Sequence, residues 1–188
     1  MKKHFLSLLQ DNPIIAAVKD LEKLQAAIDS PCDIVFLLNG NIFNLKTIVD
    51  KVKDRGKNIY IHIDLMEGFS RDTVALKYIS KNIKPDGIIT TKSSLIKITK
   101  SMNLFAIQRL FIIDSLSVKT GISTLNATKP DSVEILPGII PKVIKQIGSN
   151  TDVPIIAGGL IETKKEVMES LSMGAFGIST TNEKVWYE

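Results

Sequence analysis

Two short stretches near the carboxyl end carry the most specific chemistry in the chain. Residues 153–157 (V-P-I-I-A) run into Gly158-Gly159, and residues 175–178 (A-F-G-I) run into Ser179-Thr180-Thr181. Adjacent glycines allow positive φ and leave no Cβ between backbone and ligand. Beside three hydroxyls they gather amide and hydroxyl donors in one place, an arrangement that binds phosphate. Gly158, Gly159, Ser179 and Thr180 are therefore the candidate phosphate-binding residues. A tight turn between strand and helix is the plainer use of the glycines alone.

A second group of residues can handle hydroxyls or protons. In residues 58–64 (N-I-Y-I-H-I-D) strand alternation puts His62 and Asp64 on one face, opposite Ile61 and Ile63. Glu67 follows in the loop. Asp64 and Glu67 can bond substrate hydroxyls, bind a metal or act as acid and base. His62 reads equally as a satisfied core histidine. Arg109 lies inside an apolar run, so it must pair with a carboxylate such as Glu134 or Asp64, or hold an anion. Glu134, within V-E-I-L, points toward the interior, and Pro137-Gly138 turn the chain after it. Lys19 and Lys92 end two strands and either add positive charge or are solvated loop residues. One cysteine and two distant histidines without ligand spacing suggest no transition-metal site. The glycine-rich signatures of nucleoside triphosphate and dinucleotide binding are missing, so no cofactor is expected. No aromatic-basic RNA motif of the usual kinds occurs.

These groups need strands that end side by side. Apolar runs rich in β-branched residues recur at 13–18, 33–38, 58–64, 86–90, 104–113, 131–136, 153–157 and 175–178. Between most of them the apolar residues keep helical spacing, as in Leu45, Ile48, Val49 and Val52. Gly56 and Gly174 stop two of those helices. Residues 114–128 show no clear pattern. Eight alternating units predict an α/β fold, a compact (β/α)8 TIM-like barrel forming one domain over residues 1–188. Such barrels keep their sites at the carboxyl ends of the strands, with phosphate after strands seven and eight. An open doubly wound sheet would suit the small size but not eight units.

The 188 residues carry 44% hydrophobic and 23% charged side chains, ordinary for a globular protein. No run approaches the roughly 18 apolar residues of a membrane span. Residues 1–9 are too short in apolar sequence for a signal peptide, so a cytoplasmic location is expected. Cys32, alone, reads as a packing residue. The net charge of +4 permits an anionic partner without requiring one.

Six co-linear segments resemble a known family: P-I-I-A-A-V-K-D (13–20), H-I-D-L-M-E-G-F-S (62–70), D-G-I-I-T-T-K (86–92), I-Q-R-L-F-I-I-D-S (107–115), E-I-L-P-G (134–138) and P-I-I-A-G-G-L-I (154–161). They are similar to the glycerol uptake operon antiterminator regulatory proteins of Gram-positive bacteria, over nearly the whole chain. The resemblance implies a barrel without catalytic activity that binds glycerol 3-phosphate. It also implies that the liganded protein binds leader mRNA of glycerol-utilisation genes and lets transcription pass a terminator. At the matching positions it implies ligand contacts from Asp64, Glu67, Arg109, Glu134, Gly138, Gly158, Gly159 and Ser179. It names no RNA-binding residues. Thr180 and Thr181 after Ser179, and Trp186-Tyr187, are conservative departures. Two other readings stand beside it. One is a barrel enzyme acting on a small phosphorylated sugar or triose, with Asp64, Glu67 or Glu134 as acid and base. The other is a scaffold that only dimerises, and a homo-oligomer is compatible with all three.

Overall fold

The structure, a computed structural model, describes residues 2–188. The runs of Ile, Val, Leu and Phe form eight parallel strands: β1 Ile14–Val18, β2 Ile34–Leu37, β3 Asn58–His62, β4 Gly87–Thr90, β5 Phe105–Phe111, β6 Ser132–Leu136, β7 Ile155–Gly158 and β8 Ala175–Thr180. Each pairs with the next, and β8 closes on β1 through Ile14↔Ile178, Ile15↔Ser179 and Ala16↔Thr180. The fold is thus one closed (β/α)8 barrel in a single compact domain. Its helices are α1 Lys2–Asp11, α2 Leu24–Asp29, α3 Leu45–Lys53, α4 Thr73–Tyr78, α5 Ser93–Ser101, α6 Ser115–Thr128, α7 Pro141–Gly148 and α8 Lys164–Ser172. No helix of the described residues is long and apolar enough to cross a membrane.

Strand alternation sorts the core into two layers. Val35, Ile61, Ile88, Val133 and Ile178 point outward and pack under the helices. Ile15, Phe36, Tyr60, Ile107 and Ile156 point inward and fill the barrel. The barrel is plugged from below by α1. Phe5 and Leu9 of that helix are 1% and 3% exposed and belong to the inner layer. The Phe5 ring lies 4.4 Å from Phe105 and 5.2 Å from Tyr60, centroid to centroid. Space for the plug comes from inward-facing glycines. A Cβ at Gly177 would stand 2.9 Å from Leu9, and one at Gly87 would stand 2.6 Å from the Tyr60 ring.

Two local readings are corrected. β3 ends at His62 rather than at residue 64, and Ile63–Leu65 form a 3₁₀ turn. Two-residue strands, Gly40–Asn41 and Met66–Glu67, then pair above the barrel. Residues 115–128 are a helix, α6, opened by a capping box between Asp114 and Ser117. Its Ser- and Thr-rich face hides the period, because only Val118, Gly121 and Leu125 are buried. Val74 of α4 is 75% exposed, so the buried face of that helix is set by Ala75 and Leu76.

Candidate functional site

The inward positions turn polar at the carboxyl end of the barrel. They are His62 on β3, Arg109 on β5, Glu134 on β6, Gly158 on β7 and Ser179 on β8. The register sets Arg109 opposite Glu134 and Gly158 opposite Ser179. Arg109 Nε donates to Glu134 Oε2 at 2.6 Å, with the two side chains 7% and 1% exposed. This is the ion pair that an arginine in an apolar strand requires. Gly158 lets the carboxylate lie flat against β7, since a Cβ there would stand 2.7 Å from Glu134 Oε1.

Above the pair opens a cavity of about 380 Å³, within the usual size range of small-ligand sites. Arg109 and Glu134 lie at its base. One wall is Gly159, Leu160 and Ile161; the facing wall runs from Ser179 to Asn182, and Lys19 reaches in from the end of β1. Gly159 has φ +75° and Leu160 φ +60°. The left-handed form costs a branched residue such as leucine roughly 1–2 kcal/mol, and strain of this kind gathers at ligand sites. The two walls are tied together. Thr180 Oγ1 donates to the Ile161 carbonyl at 2.7 Å and accepts from the Asn182 amide at 3.1 Å. Asn182 Nδ2 donates to the Glu162 carbonyl at 3.1 Å, and Trp186 Nε1 to the Thr180 carbonyl at 2.8 Å. The Thr180 hydroxyl is therefore spent on holding the loops.

Asp64 stands apart, on the 3₁₀ turn. Its Oδ1 accepts from Thr90 Oγ1 at 2.9 Å, and its Oδ2 accepts from the Thr91 amide and hydroxyl at 2.6 and 2.8 Å. Burial acts to raise its pKa, but the bonds from Thr91 and Thr90 outweigh it and hold the carboxyl below the usual range. His62 is 2% exposed, and its Nδ1 has no partner; Asp64 Oδ2 is 3.9 Å away. Burial first, then the charge of Arg109, lower its pKa to about 4, against the pull of Asp64. His62 is therefore a neutral imidazole at pH 7.

Of the residues singled out in the sequence, the cavity brings together Arg109, Glu134, Gly159, Ser179 and Thr180. Gly158 backs Glu134. Asp64, Glu67 and Gly138 do not line it. Glu67 is exposed on the short upper strand, where its carbonyl accepts from the Ile42 amide at 3.0 Å. The Gly138 amide donates to the Gly158 carbonyl at 2.6 Å, and a Cβ would meet Ile161 Cδ1 at 2.7 Å. Gly138 thus seats one loop against the next. Gln108, beside Arg109, faces outward and accepts from Thr128 Oγ1 at 3.1 Å. Lys19 and Asn182 join the cavity; the only sequence signal for either was its place just past a strand end. Among the described residues no group of three or more His, Cys, Asp or Glu could hold a metal ion.

Fold and site together define a (β/α)8 barrel that keeps a small polar cavity, with one arginine, one lysine and two lashed loops, at the carboxyl end of its strands. Residues 14–186 match the profile of the glycerol-3-phosphate responsive antiterminators, and the chain belongs to that family. It is similar to the protein YgcP of Escherichia coli (strain K12), with 42% identity over 181 residues, 96% of this chain and 95% of the relative. The crystal structure of the glycerol uptake operon antiterminator regulatory protein of Listeria monocytogenes superposes with a TM-score of 0.90 at 33% identity, covering 94% of this chain and 95% of that one. A glycerol uptake operon antiterminator-related protein of Thermotoga maritima superposes with a TM-score of 0.82 at 35% identity, covering 92% and 96%.

Proposed function

We propose that this protein is a glycerol 3-phosphate sensor which, when liganded, binds leader mRNA of glycerol-uptake and utilisation genes and carries transcription past a terminator. The observation that carries the reading is the cavity itself: donors and cations on its walls, one buried carboxylate at its base. The phosphate ester sits between the loops at 158–161 and 179–182, held by backbone amides, the Ser179 hydroxyl, Lys19 and the outer face of Arg109. Thr180 contributes by fixing both loops. Glu134 receives the glycerol hydroxyls. Asp64 and Glu67 act from the rim, and Gly138 acts by seating the loop beneath Gly158. The work is done in the cytoplasm, without cofactor, and a homo-oligomer would leave these contacts unchanged.

The protein binds this ligand and does not turn it over. A general base needs a carboxylate free to take a proton at the operating pH. Asp64 already accepts three hydrogen bonds and, like Glu67, does not line the cavity, and Glu134 Oε2 is paired with Arg109, which supports binding over turnover. Titration of labelled leader RNA at fixed salt, with and without glycerol 3-phosphate, tests the reading. A tenfold gain in affinity corresponds to about 1.4 kcal/mol of coupling between the sites. Unchanged RNA affinity, or product formed from glycerol 3-phosphate, would overturn it.

A further inference from the structure

The excess positive charge is not spread over the molecule. Residues 92–149 hold eight Lys or Arg against three Asp or Glu, a net +5, while the whole chain is +4, so the remainder is slightly acidic. The excess lies on three neighbouring helices, α5, α6 and α7, which pack side by side in that order. None of the three contains a single Asp or Glu. The three acids of the stretch are occupied. Asp114 caps α6 by accepting from the Ser117 amide at 2.7 Å. Asp131 accepts from the Ala106 amide at 2.9 Å and pairs with Lys100 at 3.4 Å. Glu134 is buried against Arg109.

The lysines of this face are exposed: Lys97, Lys100, Lys119, Lys129, Lys142 and Lys145. Among the described residues all but Lys100 lack a carboxylate partner. Helices α3 and α8 mix signs instead, with Lys46 paired to Asp50, Lys165 to Glu169 and Lys164 to Glu188, while α4 holds a single lysine. Solvation alone does not require a helix face to exclude every acid, and mixed signs are the usual surface. Exposed Thr120 and Ser123 add hydroxyl donors between the lysine rows. The three helices carry no aromatic side chain on which a base could stack. A surface of point charges and hydroxyls without aromatics reads phosphates and shape rather than bases.

We propose that the outer face of α5, α6 and α7 is the surface that binds RNA, and that it grips the phosphate backbone of a folded, base-paired segment. This rests on the RNA-binding reading above and assigns it a place, on the barrel wall away from the ligand cavity. The test is a pair of fourfold variants with equal loss of charge. One carries Lys97→Gln, Lys119→Gln, Lys142→Gln and Lys145→Gln. The other carries Lys46→Gln, Lys51→Gln, Lys164→Gln and Lys165→Gln. Each is titrated with a labelled hairpin transcript of the leader at several salt concentrations, and glycerol 3-phosphate binding is followed by thermal shift.

The first variant should lose roughly tenfold or more in affinity and flatten the salt dependence by about 0.7–0.9 in log–log slope per lost contact. The second should bind RNA as the native protein does, and both should keep the ligand shift. Equal losses in the two, or none in the first, overturn the surface while the sensor reading stands. Native protein that binds no RNA removes both. If it instead binds poly-aspartate through these lysines, the face belongs to an acidic protein partner and the proposal is wrong.

Discussion

Replacing Arg109 with methionine should separate what the Arg109–Glu134 pair does for stability from what it does for binding. The substitution keeps much of the side-chain volume and leaves Glu134, 1% exposed, with no opposing charge. Removing one partner of a buried pair costs about 3–5 kcal/mol, whereas replacing both with apolar residues is often neutral or favourable. For a chain of this length each kcal/mol moves the melting temperature by roughly 2–4 °C, so Arg109→Met should lower Tm by about 6–20 °C. Adding Glu134→Leu should return most of that loss. The ligand response should behave differently. In the native protein a hundredfold excess of glycerol 3-phosphate over Kd adds about 2.7 kcal/mol. Neither the single nor the double variant should show it, because both lack the guanidinium beneath the cavity. Scanning calorimetry with and without ligand reads all of these states. A loss below about 1 kcal/mol in the single variant, or a double variant no more stable than the single, would refute the account of the pair. A ligand shift preserved in the double variant would refute the role of Arg109 in binding.

Three further outcomes are expected. The pKa of His62 is lowered to about 4, so the folded state binds fewer protons than the unfolded state between the ordinary histidine value and that point. Its contribution, about 3 kcal/mol, is complete above pH ~6.5 and is lost as pH falls toward 4; urea unfolding across that range should show it, and an unchanged slope in His62→Gln would refute it. The lowered pKa of Asp64 acts in the same direction at lower pH. At Gly159, where φ is +75°, valine is strained and obstructs the loop, so Gly159→Val should abolish the glycerol 3-phosphate thermal shift and leave basal RNA affinity intact. A native-sized shift in that variant would remove the loop from the site. Phe5→Ala should cost about 3–5 kcal/mol by emptying the barrel floor, and a cost near zero in chemical denaturation would show that α1 is no plug.

Much of this architecture is legible because the eight strand runs are short, apolar and β-branched, and the closed barrel follows from their number. That Arg109 needs a partner is legible because a charge inside an apolar run has to be neutralised, but that Glu134 rather than Asp64 supplies it appears only in the structure. Other features escape because they depend on the third dimension. Alternation continues on paper through Asp64, yet the chain leaves the sheet after His62 and the Asp64 carboxylate turns to Thr90 and Thr91. The role of Gly138 appears only when Ile161 and Gly158 lie across it. Helix α1 has one short apolar stripe, which gives no hint that Phe5 enters a barrel whose floor was left open by Gly87 and Gly177. Glu67 looks equivalent to Asp64 in sequence, yet neither lines the cavity: Asp64 is bound to Thr90 and Thr91, and Glu67 lies exposed on the upper pair of strands.

The plug also dictates an order of events during synthesis. Leu9 sits where a side chain on Gly177 would be, and the Ile178 amide donates to the Pro13 carbonyl at 2.8 Å. Residues around β1 therefore bind residues of β8, made long after them. Until β8 emerges, β1 lacks one neighbour and the apolar face of α1 has only part of its socket. Trp186 then completes the seam: its carbonyl accepts from Cys32 Sγ at 3.6 Å. A nascent chain of this protein must carry an unsealed sheet with two exposed edges until β8 is made, the condition in which strands pair with the wrong partner. Sealing waits for β8, so a chain that ends before residue 175 holds an open sheet rather than a shorter barrel.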